Sequence, residues 1–159
     1  MQKSLFRRIM NRILHLVAQF SPGATTFRPF LHKLRGVKIH GIVFIGDQVY
    51  LENEFPEQIE LHDGVQLAPR SMIMCHFRSV GKIIIGRNVW IGVNSIVTTP
   101  GRLLTIGECS VVAASSVVTR DVPPFMFVGG SPAKPIARVT IPMTMETPYE
   151  DFKNGLVPL

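Results

Sequence analysis

Five histidines and two cysteines are the side chains of this 159-residue chain that best suit acid–base or nucleophilic chemistry. An imidazole has an unperturbed pKa of about 6.5, so it can take a proton from an attacking hydroxyl and return it to a leaving group. A thiol becomes a nucleophile when a neighbouring base removes its proton. These residues are His15, His32, His40, His62, His76, Cys75 and Cys109. Cysteine and histidine are adjacent in the sequence only at Cys75-His76, which makes this dipeptide the candidate for a nucleophile and its base.

The local pattern argues against a cysteine–histidine pair at this point. Adjacent residues of a strand point to opposite faces, so the Cys75 thiol and the His76 imidazole are not expected to meet. We expect Cys75 to be a buried structural residue and His76 to point outward, just before a loop at residues 77–81. Two cysteines also do not make a disulfide framework, which favours a reducing, cytoplasmic setting.

The elements that position these residues are predicted by a six-residue repeat. An aliphatic residue keeps returning, with a small or β-branched residue four places later, and a short fixed period of this kind is typical of a β-solenoid. The pairs are Ile45/Val49, Leu61/Val65, Leu67/Ser71, Ile85/Val89, Ile91/Ser95, Ile106/Ser110, Val112/Ser116 and Val118/Val122. The repeat predicts a parallel β-helix over residues 37–128.

The repeat also predicts how each coil is built. Three flat strands enclose a narrow triangular core, so each face supplies one aliphatic and one small side chain, and coils must stack to bury them. Glycines follow several of the aliphatic residues, and we expect them to relieve backbone strain at the corners. They are Gly46, Gly86, Gly92 and Gly107. His76 falls at a corner, and the register is interrupted within 51–61 and 97–106, where insertions form loops that often carry function.

Residues 1–22 predict an amphipathic helix that ends at Ser21-Pro22-Gly23. Its apolar face consists of Leu5, Phe6, Ile9, Met10, Ile13, Leu14, Leu16, Val17 and Phe20, and Lys3, Arg7, Arg8 and Arg12 lie opposite. Such a helix either binds the surface of a membrane, here through residues 1–20, or packs its apolar stripe on the solenoid or on a neighbouring subunit. The sequence leaves both interpretations open.

Composition limits the remaining possibilities. Hydrophobic residues make up 46% of the chain, but no uninterrupted apolar run reaches the roughly 18 residues of a transmembrane helix, and arginines interrupt the apolar N-terminal stretch. The formal net charge of +6 suits an anionic ligand or surface. There is no helix-turn-helix, zinc-finger or RNP pattern, so we expect no nucleic acid partner. We expect a single domain, 1–159, in which residues 129–159 form an irregular C-terminal extension.

Three motifs occur in a fixed order in the second half of the chain. They are Ile85-Gly86-Arg87-Asn88-Val89-Trp90-Ile91-Gly92, Val118-Thr119-Arg120-Asp121-Val122-Pro123-Pro124 and Gly130-Ser131-Pro132-Ala133-Lys134. In this the chain resembles the hexapeptide-repeat acetyltransferases, and most closely the sugar and polysaccharide O-acetyltransferases of the galactoside and maltose type. The resemblance implies a left-handed parallel β-helix, acetyl-CoA as co-substrate, and a homotrimer with active sites between neighbouring solenoids.

The resemblance also assigns roles to individual residues. His76 lies where the family keeps its catalytic base; the alternative is an ordinary surface histidine. Trp90, Ala114 and Ser115 would line the pantetheine cleft, although Trp90 would equally suit packing between coils. Three further residues would lie near the CoA nucleotide: Thr119, Arg120 (where the family has lysine, or else a solvated turn residue) and Lys134. A second family arginine falls at Ala137, so the nucleotide contacts depart in part from the family pattern.

Acceptor binding is the least specified part of the predicted site. Asn53 lies near the position of an acceptor-contacting asparagine of galactoside-type enzymes, within the interrupted register. Glu52, Glu54 and Asp63 either orient His76, bind sugar hydroxyls or form a solvated acidic loop. No histidine follows His76, unlike in the solenoid carbonic anhydrases with their three histidines, so we expect no metal.

Together these observations predict an acetyl-CoA-dependent O-acetyltransferase that acts on a hydroxyl of a sugar or cell-surface polysaccharide precursor, with His76 as general base. The expected location is the cytoplasm, with possible peripheral contact at the inner face of the membrane. Two alternatives remain: an acetyltransferase with another acceptor (an amino sugar, serine or an antibiotic), or a catalytically silent β-helix that serves as an assembly or binding module.

Overall fold

The structure, a computed structural model, describes residues 4–159 and contains a parallel β-helix whose coils each contribute one strand to three sheets. Sheet A consists of β1 (Lys38–Ile39), β4 (Ile59–Leu61), β7 (Lys82–Ile85) and β10 (Leu103–Ile106). Sheet B contains β2 (Phe44–Ile45), β5 (Gln66–Leu67), β8 (Trp90–Ile91), β11 (Val111–Val112) and β13 (Met126–Gly130). Sheet C consists of β3 (Tyr50–Leu51), β6 (Met72–Met74), β9 (Ile96–Thr98) and β12 (Val117–Val118).

The six-residue repeat forms the core of the β-helix, as predicted. Both members of all eight aliphatic/small pairs are buried. The small positions include serines whose hydroxyls donate to backbone carbonyls: Ser95 Oγ to Ala113 O at 2.8 Å, and Ser110 Oγ to Pro123 O at 2.7 Å. A buried hydroxyl needs such a partner, and the stacked backbone supplies it at these two positions. The predicted fold is therefore confirmed in its central part.

At the corners, the residues with a strained backbone are not the four glycines that the sequence predicted. In seven of the eight repeats the residue three positions after the aliphatic residue is in the left-handed region; it is Gly64 in the Leu61 repeat and a non-glycine residue in the other six. With Phe125, three positions after Val122, seven non-glycine residues have φ between 53° and 61°. They are Gln48, Arg70, Asn88, Asn94, Cys109, Ser115 and Phe125. The four glycines predicted for the corners serve a different purpose, because the next coil passes close by: a Cβ atom on Gly92 would lie 2.5 Å from the backbone nitrogen of Ala114. Glycine at this position therefore permits close stacking of coils and does not relieve the corner.

Two helices form a hairpin ahead of the first coil. Helix α1 (Leu5–Phe20) is the predicted amphipathic helix, and its expected beginning at residues 1–3, including Lys3, lies outside the described residues. Ser4 Oγ caps α1 by accepting from the Arg7 amide. Helix α2 (Phe27–Arg35) was not predicted, and it ends at Gly36 in the left-handed conformation. No helix within residues 4–159 has the length and apolar character required to cross a bilayer.

The orientation of α1 is the reverse of ordinary amphipathic packing. The residues that α1 buries are Asn11, His15 and Ala18, whereas its large apolar side chains are exposed, with Phe6 and Phe20 each at 72%. The apolar stripe thus does not pack on the solenoid of its own chain, which contradicts the first half of the packing interpretation; a neighbouring subunit and a membrane surface stay as interpretations.

A buried guanidinium explains why α1 turns its polar face inward. Arg35 is 1% exposed, and its Nη1 lies 2.9 Å from His15 Nδ1 and 2.8 Å from His32 Nδ1. Its Nη2 donates to the carbonyl oxygens of Leu51 and Glu52, and to Asn53 Oδ1. A buried charge requires several partners of this kind. Arg35 therefore joins α1, α2 and the end of β3 in one network.

This network makes stability sensitive to acid. Burial, and then the charge of Arg35, lowers the pKa of His15 to about 4, and the same causes lower the pKa of His32. Below pH 6.5 the unfolded chain binds protons at these histidines while the folded chain does not. We expect the free energy of unfolding to fall between pH 6.5 and 4, by about 3 kcal/mol for His15 alone. We expect the free energy of unfolding, measured by chemical denaturation at several pH values in this range, to change markedly less with pH in His15→Gln than in wild type. An equal pH dependence in the variant would contradict the assignment of the acid sensitivity to His15.

The C-terminal segment, expected to be irregular, is mostly ordered against sheet B. Strand β14 (Ala133–Val139) pairs antiparallel with β13 and with β15 (Leu156–Pro158), and α3 (Tyr149–Asn154) lies between β14 and β15 in the chain. A second apolar cluster forms here from Val111, Val139 and Phe152, with Trp90, Phe127, Met143 and Leu156 against it. The outer face of sheet B carries large apolar residues, and covering them orders the segment despite its prolines.

Candidate active site

His76 lies at the corner where sheet C leads into sheet A. Cys75, directly after β6, is fully buried in the core, whereas His76 is exposed. The chain then makes a tight loop, closed by a bridge between His76 and Val80 and by a 2.8 Å hydrogen bond from the Gly81 amide to Cys75 O. The thiol and imidazole point to opposite sides, so the expected geometry of the dipeptide is present.

Loops from neighbouring coils stack at the same corner. Phe55, from the first insertion, packs edge-on against the His76 ring with a centroid distance of 5.0 Å. Ser79 Oγ, from the His76 loop, donates to Pro100 O in the second insertion at 3.1 Å. Arg102 Nη2 then donates to Thr119 O at 2.8 Å. Both interruptions of the repeat therefore lie beside His76, as expected of loops on a functional face.

An open groove of about 450 Å³ lies next to this corner. Its lining residues are Met74, Phe77, Thr98, Pro100 and Thr119. Met74 and Phe77 lie on either side of Cys75-His76 in the chain, so the groove connects the neighbourhood of His76 with Thr119. Its walls are mostly apolar, which suits the methylene groups of a flexible chain more than a charged ligand.

The predicted cofactor residues do not all lie at this groove. All six predicted cofactor residues lie within residues 4–159, and of these only Thr119 lines the groove. The exposed Arg120 is the next residue in the chain. Ala114 and Ser115 are exposed in the turn between β11 and β12, at the other edge of sheet C. Trp90 is half-buried in the second apolar cluster on sheet B, which is the packing alternative noted for it. Lys134 is exposed on β14.

The two predicted acceptor residues belong to the buried network. Glu52 is 2% exposed, and its Oε1 accepts from the Glu54 amide at 2.9 Å while Oε2 lies 4.0 Å from Cys75 Sγ. The Asn53 side chain accepts from Arg35 at 2.7 Å. A solvated acidic loop is therefore not what these residues form; they lie underneath the His76 corner and fix the N-terminal hairpin to it.

The other two acidic candidates also have structural partners. Glu54 bonds Arg8 at 2.9 Å and Arg12 at 3.1 Å, and these hydrogen bonds lower the pKa of its carboxyl group. Asp63 Oδ1 accepts from the Ile42 amide at 2.7 Å, on another part of the coil.

Two residues of the corner were not singled out from the sequence. Phe77 is 68% exposed and forms one wall of the groove directly after His76. Arg102 connects the second insertion to Thr119 and lies 4.0 Å from Asp121. Two signals in the sequence could have indicated these residues: an aromatic residue next to the candidate base, and an arginine inside an insertion.

Comparisons with known proteins agree on one class. No protein-family model matches the chain. A provisionally named acetyltransferase of Staphylococcus aureus (strain COL) is 41% identical over 71 residues, 45% of this chain and 34% of that protein. A chloramphenicol acetyltransferase of Klebsiella aerogenes is 44% identical over 62 residues, 39% of this chain and 28% of that protein. The chain thus spans about a third of the length of the curated relatives it matches.

Solved structures match over most of the chain. A maltose O-acetyltransferase from Clostridium difficile 630 aligns with a TM-score of 0.61 at 22% identity, over 86% of this chain and 88% of that one. A galactoside acetyltransferase in complex with coenzyme A gives 0.60 at 22%, over 84% and 80%. A hexapeptide-repeat acetyltransferase from Vibrio cholerae O1 biovar eltor, complexed with acetyl-CoA, gives 0.56 at 25%, over 84% and 87%.

The fold is that of a left-handed parallel β-helix built from hexapeptide repeats. The resemblance to the hexapeptide-repeat acetyltransferases, predicted from three short motifs, is confirmed by these likenesses.

Proposed function

We propose that this protein is an acetyl-CoA-dependent O-acetyltransferase that acts on a hydroxyl of a sugar or cell-surface polysaccharide precursor. The observation that carries the proposal is the corner of His76, where an exposed imidazole stands beside an apolar groove that reaches Thr119. The comparisons support the donor, because two of the similar structures were solved with coenzyme A or acetyl-CoA.

In the proposed reaction His76 acts as general base. Its imidazole removes the proton from the acceptor hydroxyl as that oxygen attacks the carbonyl carbon of the acetyl thioester. The tetrahedral intermediate then collapses, the carbon–sulfur bond breaks, and the imidazolium returns its proton to the CoA thiolate. The ring of Phe55 packs against the imidazole and restricts its orientation, while the groove holds the pantetheine arm out of water.

The remaining cofactor contacts are proposed from the resemblance. Arg120 and Lys134 would bind the phosphates of the nucleotide, and Ala114 and Ser115 would bind the pantetheine amides. Trp90 would contribute only if the segment covering it leaves an edge free. Since these residues lie on different faces of one solenoid, we propose that a homotrimer brings them together with His76 of a neighbouring chain. The acceptor side would involve the neighbourhood of Asn53 and Glu52.

The proposal is tested by thiol release from acetyl-CoA. The purified full chain is incubated with acetyl-CoA and a panel of sugars, glycan fragments, amino sugars, serine and chloramphenicol. Release with a hydroxyl sugar or glycan supports the proposal. Release only with an amine, serine or chloramphenicol replaces the acceptor class, and absence of both release and thermal stabilisation by acetyl-CoA favours the silent β-helix.

A second proposal concerns the exposed apolar residues of the N-terminal hairpin, here called the apolar patch. It consists of Leu5, Phe6, Ile9, Ile13, Leu16, Val17 and Phe20 of α1 with Phe27, Phe30 and Leu34 of α2, which are 44–72% exposed. Ten large apolar side chains on one hairpin are more than a monomeric soluble surface normally carries, and such a patch marks an interaction site.

We propose that the apolar patch docks on an anionic membrane surface. Helix α1 carries arginines at 7, 8 and 12; Glu54 pairs with Arg8 and Arg12 and offsets one of their two charges, and Lys33 is exposed on α2. Apolar side chains that enter the acyl boundary, with arginines and lysine at headgroup level, are the pattern of an interfacial helix. A membrane-bound enzyme would lie close to lipid-linked glycan precursors, which agrees with the proposed acceptor.

Co-sedimentation with lipid vesicles checks this prediction. We expect wild type to bind vesicles that contain phosphatidylserine more strongly than neutral ones, and Phe6→Ser/Phe20→Ser to lose about a hundredfold in affinity, because two aromatic rings no longer enter the bilayer. Val157→Ser/Leu159→Ser, exposed apolar residues outside the patch, is the matched control. Equal binding of wild type and the patch variant to the vesicles would refute membrane docking. A patch variant that is smaller in solution than a trimeric wild type would also refute it, because another copy of the chain would then cover the patch.

A further inference from the structure

A cluster of metal-ligating side chains lies on sheet A. His40, Glu60 and His62 each present a ligand atom, and these atoms all lie within 4.8 Å of one another. Glu60 Oε1 is 3.3 Å from His40 Nε2 and 3.5 Å from His62 Nε2. Both imidazoles are accessible, with 57% and 42% of the side chain exposed, so an ion can reach them from solvent.

The β-helix itself brings these residues together. Strands β1 and β4 pair Ile39 with Leu61, so the next residues, His40 and His62, stack one coil apart with ring centroids 5.2 Å from each other. Glu60 precedes His62 by two positions and therefore points to the same outer face. Glu60 lies in β4, while His40 and His62 directly follow their strands; their amides continue the ladder by donating to Leu61 O at 2.9 Å and to Ile85 O at 3.0 Å.

A lysine from the third coil fixes the carboxylate. Lys82 Nζ lies 2.8 Å from Glu60 Oε2, which leaves Oε1 directed at the two imidazoles. A hydrogen bond to the outer oxygen of a carboxylate ligand is a common way to orient it toward a metal ion.

The donor set matches a particular class of ion. Two imidazole nitrogens and one carboxylate oxygen are ligands that zinc accepts, with a fourth position left to water. Zinc–ligand bonds of about 2.0–2.2 Å in a tetrahedron place the ligand atoms about 3.3–3.5 Å apart, which agrees with the two distances to Glu60 Oε1.

We propose that His40, Glu60 and His62 form a binding site for a divalent transition metal, zinc above all. The ion joins the edge strand β1 to β4 and so secures the first coil of the solenoid. The site does not involve His76, and it differs from the three-histidine arrangement considered in the sequence, which would have required a histidine after His76.

The test is zinc titration of untagged full-length protein that has first been dialysed against EDTA. We expect calorimetry to give one zinc ion per chain, and zinc at a hundredfold excess over its Kd to raise Tm by about 5–10 °C, since the ion binds the folded chain only. EDTA should reverse the rise. Wild type that binds no zinc, or that binds it without a change in Tm, would overturn the proposal.

Two variants and one control make the site assignment specific. His62→Ala and Glu60→Gln should each lose the zinc-dependent rise in Tm, while their Tm in EDTA shows whether they still fold. His76→Ala removes another exposed imidazole and should bind zinc as wild type does. A His62→Ala protein that keeps wild-type affinity, or a His76→Ala protein that loses it, would place the ion elsewhere and refute the site.

Discussion

His76→Ala should lower the rate of thiol release from acetyl-CoA, measured with the active acceptor, by about 10²–10⁴-fold. The prediction depends on the proposed function and follows from the position of His76, exposed in the chain between Met74 and Phe77, which both line the groove. Alanine leaves the groove open and the donor bound, but no base then takes the hydroxyl proton. The main loss should therefore be in kcat, with the KM for acetyl-CoA changed little.

His76→Asn separates proton transfer from shape, because the amide keeps polar contacts but cannot act as a base at neutral pH. It should be as inactive as the alanine variant. Arg87→Ala, an exposed change in the turn between β7 and β8, should retain full activity, and all three proteins should melt within a few degrees of one another. Thiol release that survives in both His76 variants would keep the enzyme and remove His76 from its mechanism.

Arg35→Leu should cost about 3–5 kcal/mol of the free energy of unfolding, measured by guanidinium denaturation. Arg35 donates to Leu51 O, Glu52 O and Asn53 Oδ1, and contacts two histidine nitrogens. Leucine fills much of the volume but supplies no donor, so several buried acceptors lose their partner at once, and each such loss costs about 1–3 kcal/mol.

Lys33→Leu is the matched control, since it makes the same type of change on the exposed face of α2 and should alter stability by less than about 0.5 kcal/mol. Arg35→Lys should rescue Arg35→Leu only in part, because an ammonium cannot reach the carbonyls and both imidazoles simultaneously. A loss below about 1 kcal/mol in Arg35→Leu would mean that water takes over these acceptors, and would contradict the network as the anchor of the hairpin.

The central fold was predictable because its cause is local and repeated. Residues such as Ile85 and Val89 recur at a spacing that no helix and no ordinary strand would produce, and each repeat meets the same environment as the one before it. The register therefore propagates along the chain, and the buried positions could be named one by one. The corners were less predictable, because glycine at position 92 is required by the approach of the next coil and not by its own φ.

In the candidate site, only the residues whose place follows from their position in the repeat could be predicted. His76 at a corner and Thr119 two coils later follow from the repeat and the resemblance, and the groove connects their surroundings. Glu52 was considered for the acceptor, but a carboxylate in an acidic stretch gives no sign in the sequence that it will be 2% exposed. Trp90 likewise depends on a C-terminal segment whose prolines concealed its strands and helix.

By itself the sequence determined the parallel β-helix, and it gave the candidate base at one corner. Periodic burial of aliphatic residues requires no information from distant parts of the chain. Only the tertiary structure decided which side of α1 is buried, because the buried charge of Arg35 draws His15 inward against the usual hydrophobic preference. It also decided that His40, Glu60 and His62 meet, since side chains from separate coils become neighbours only when the coils stack.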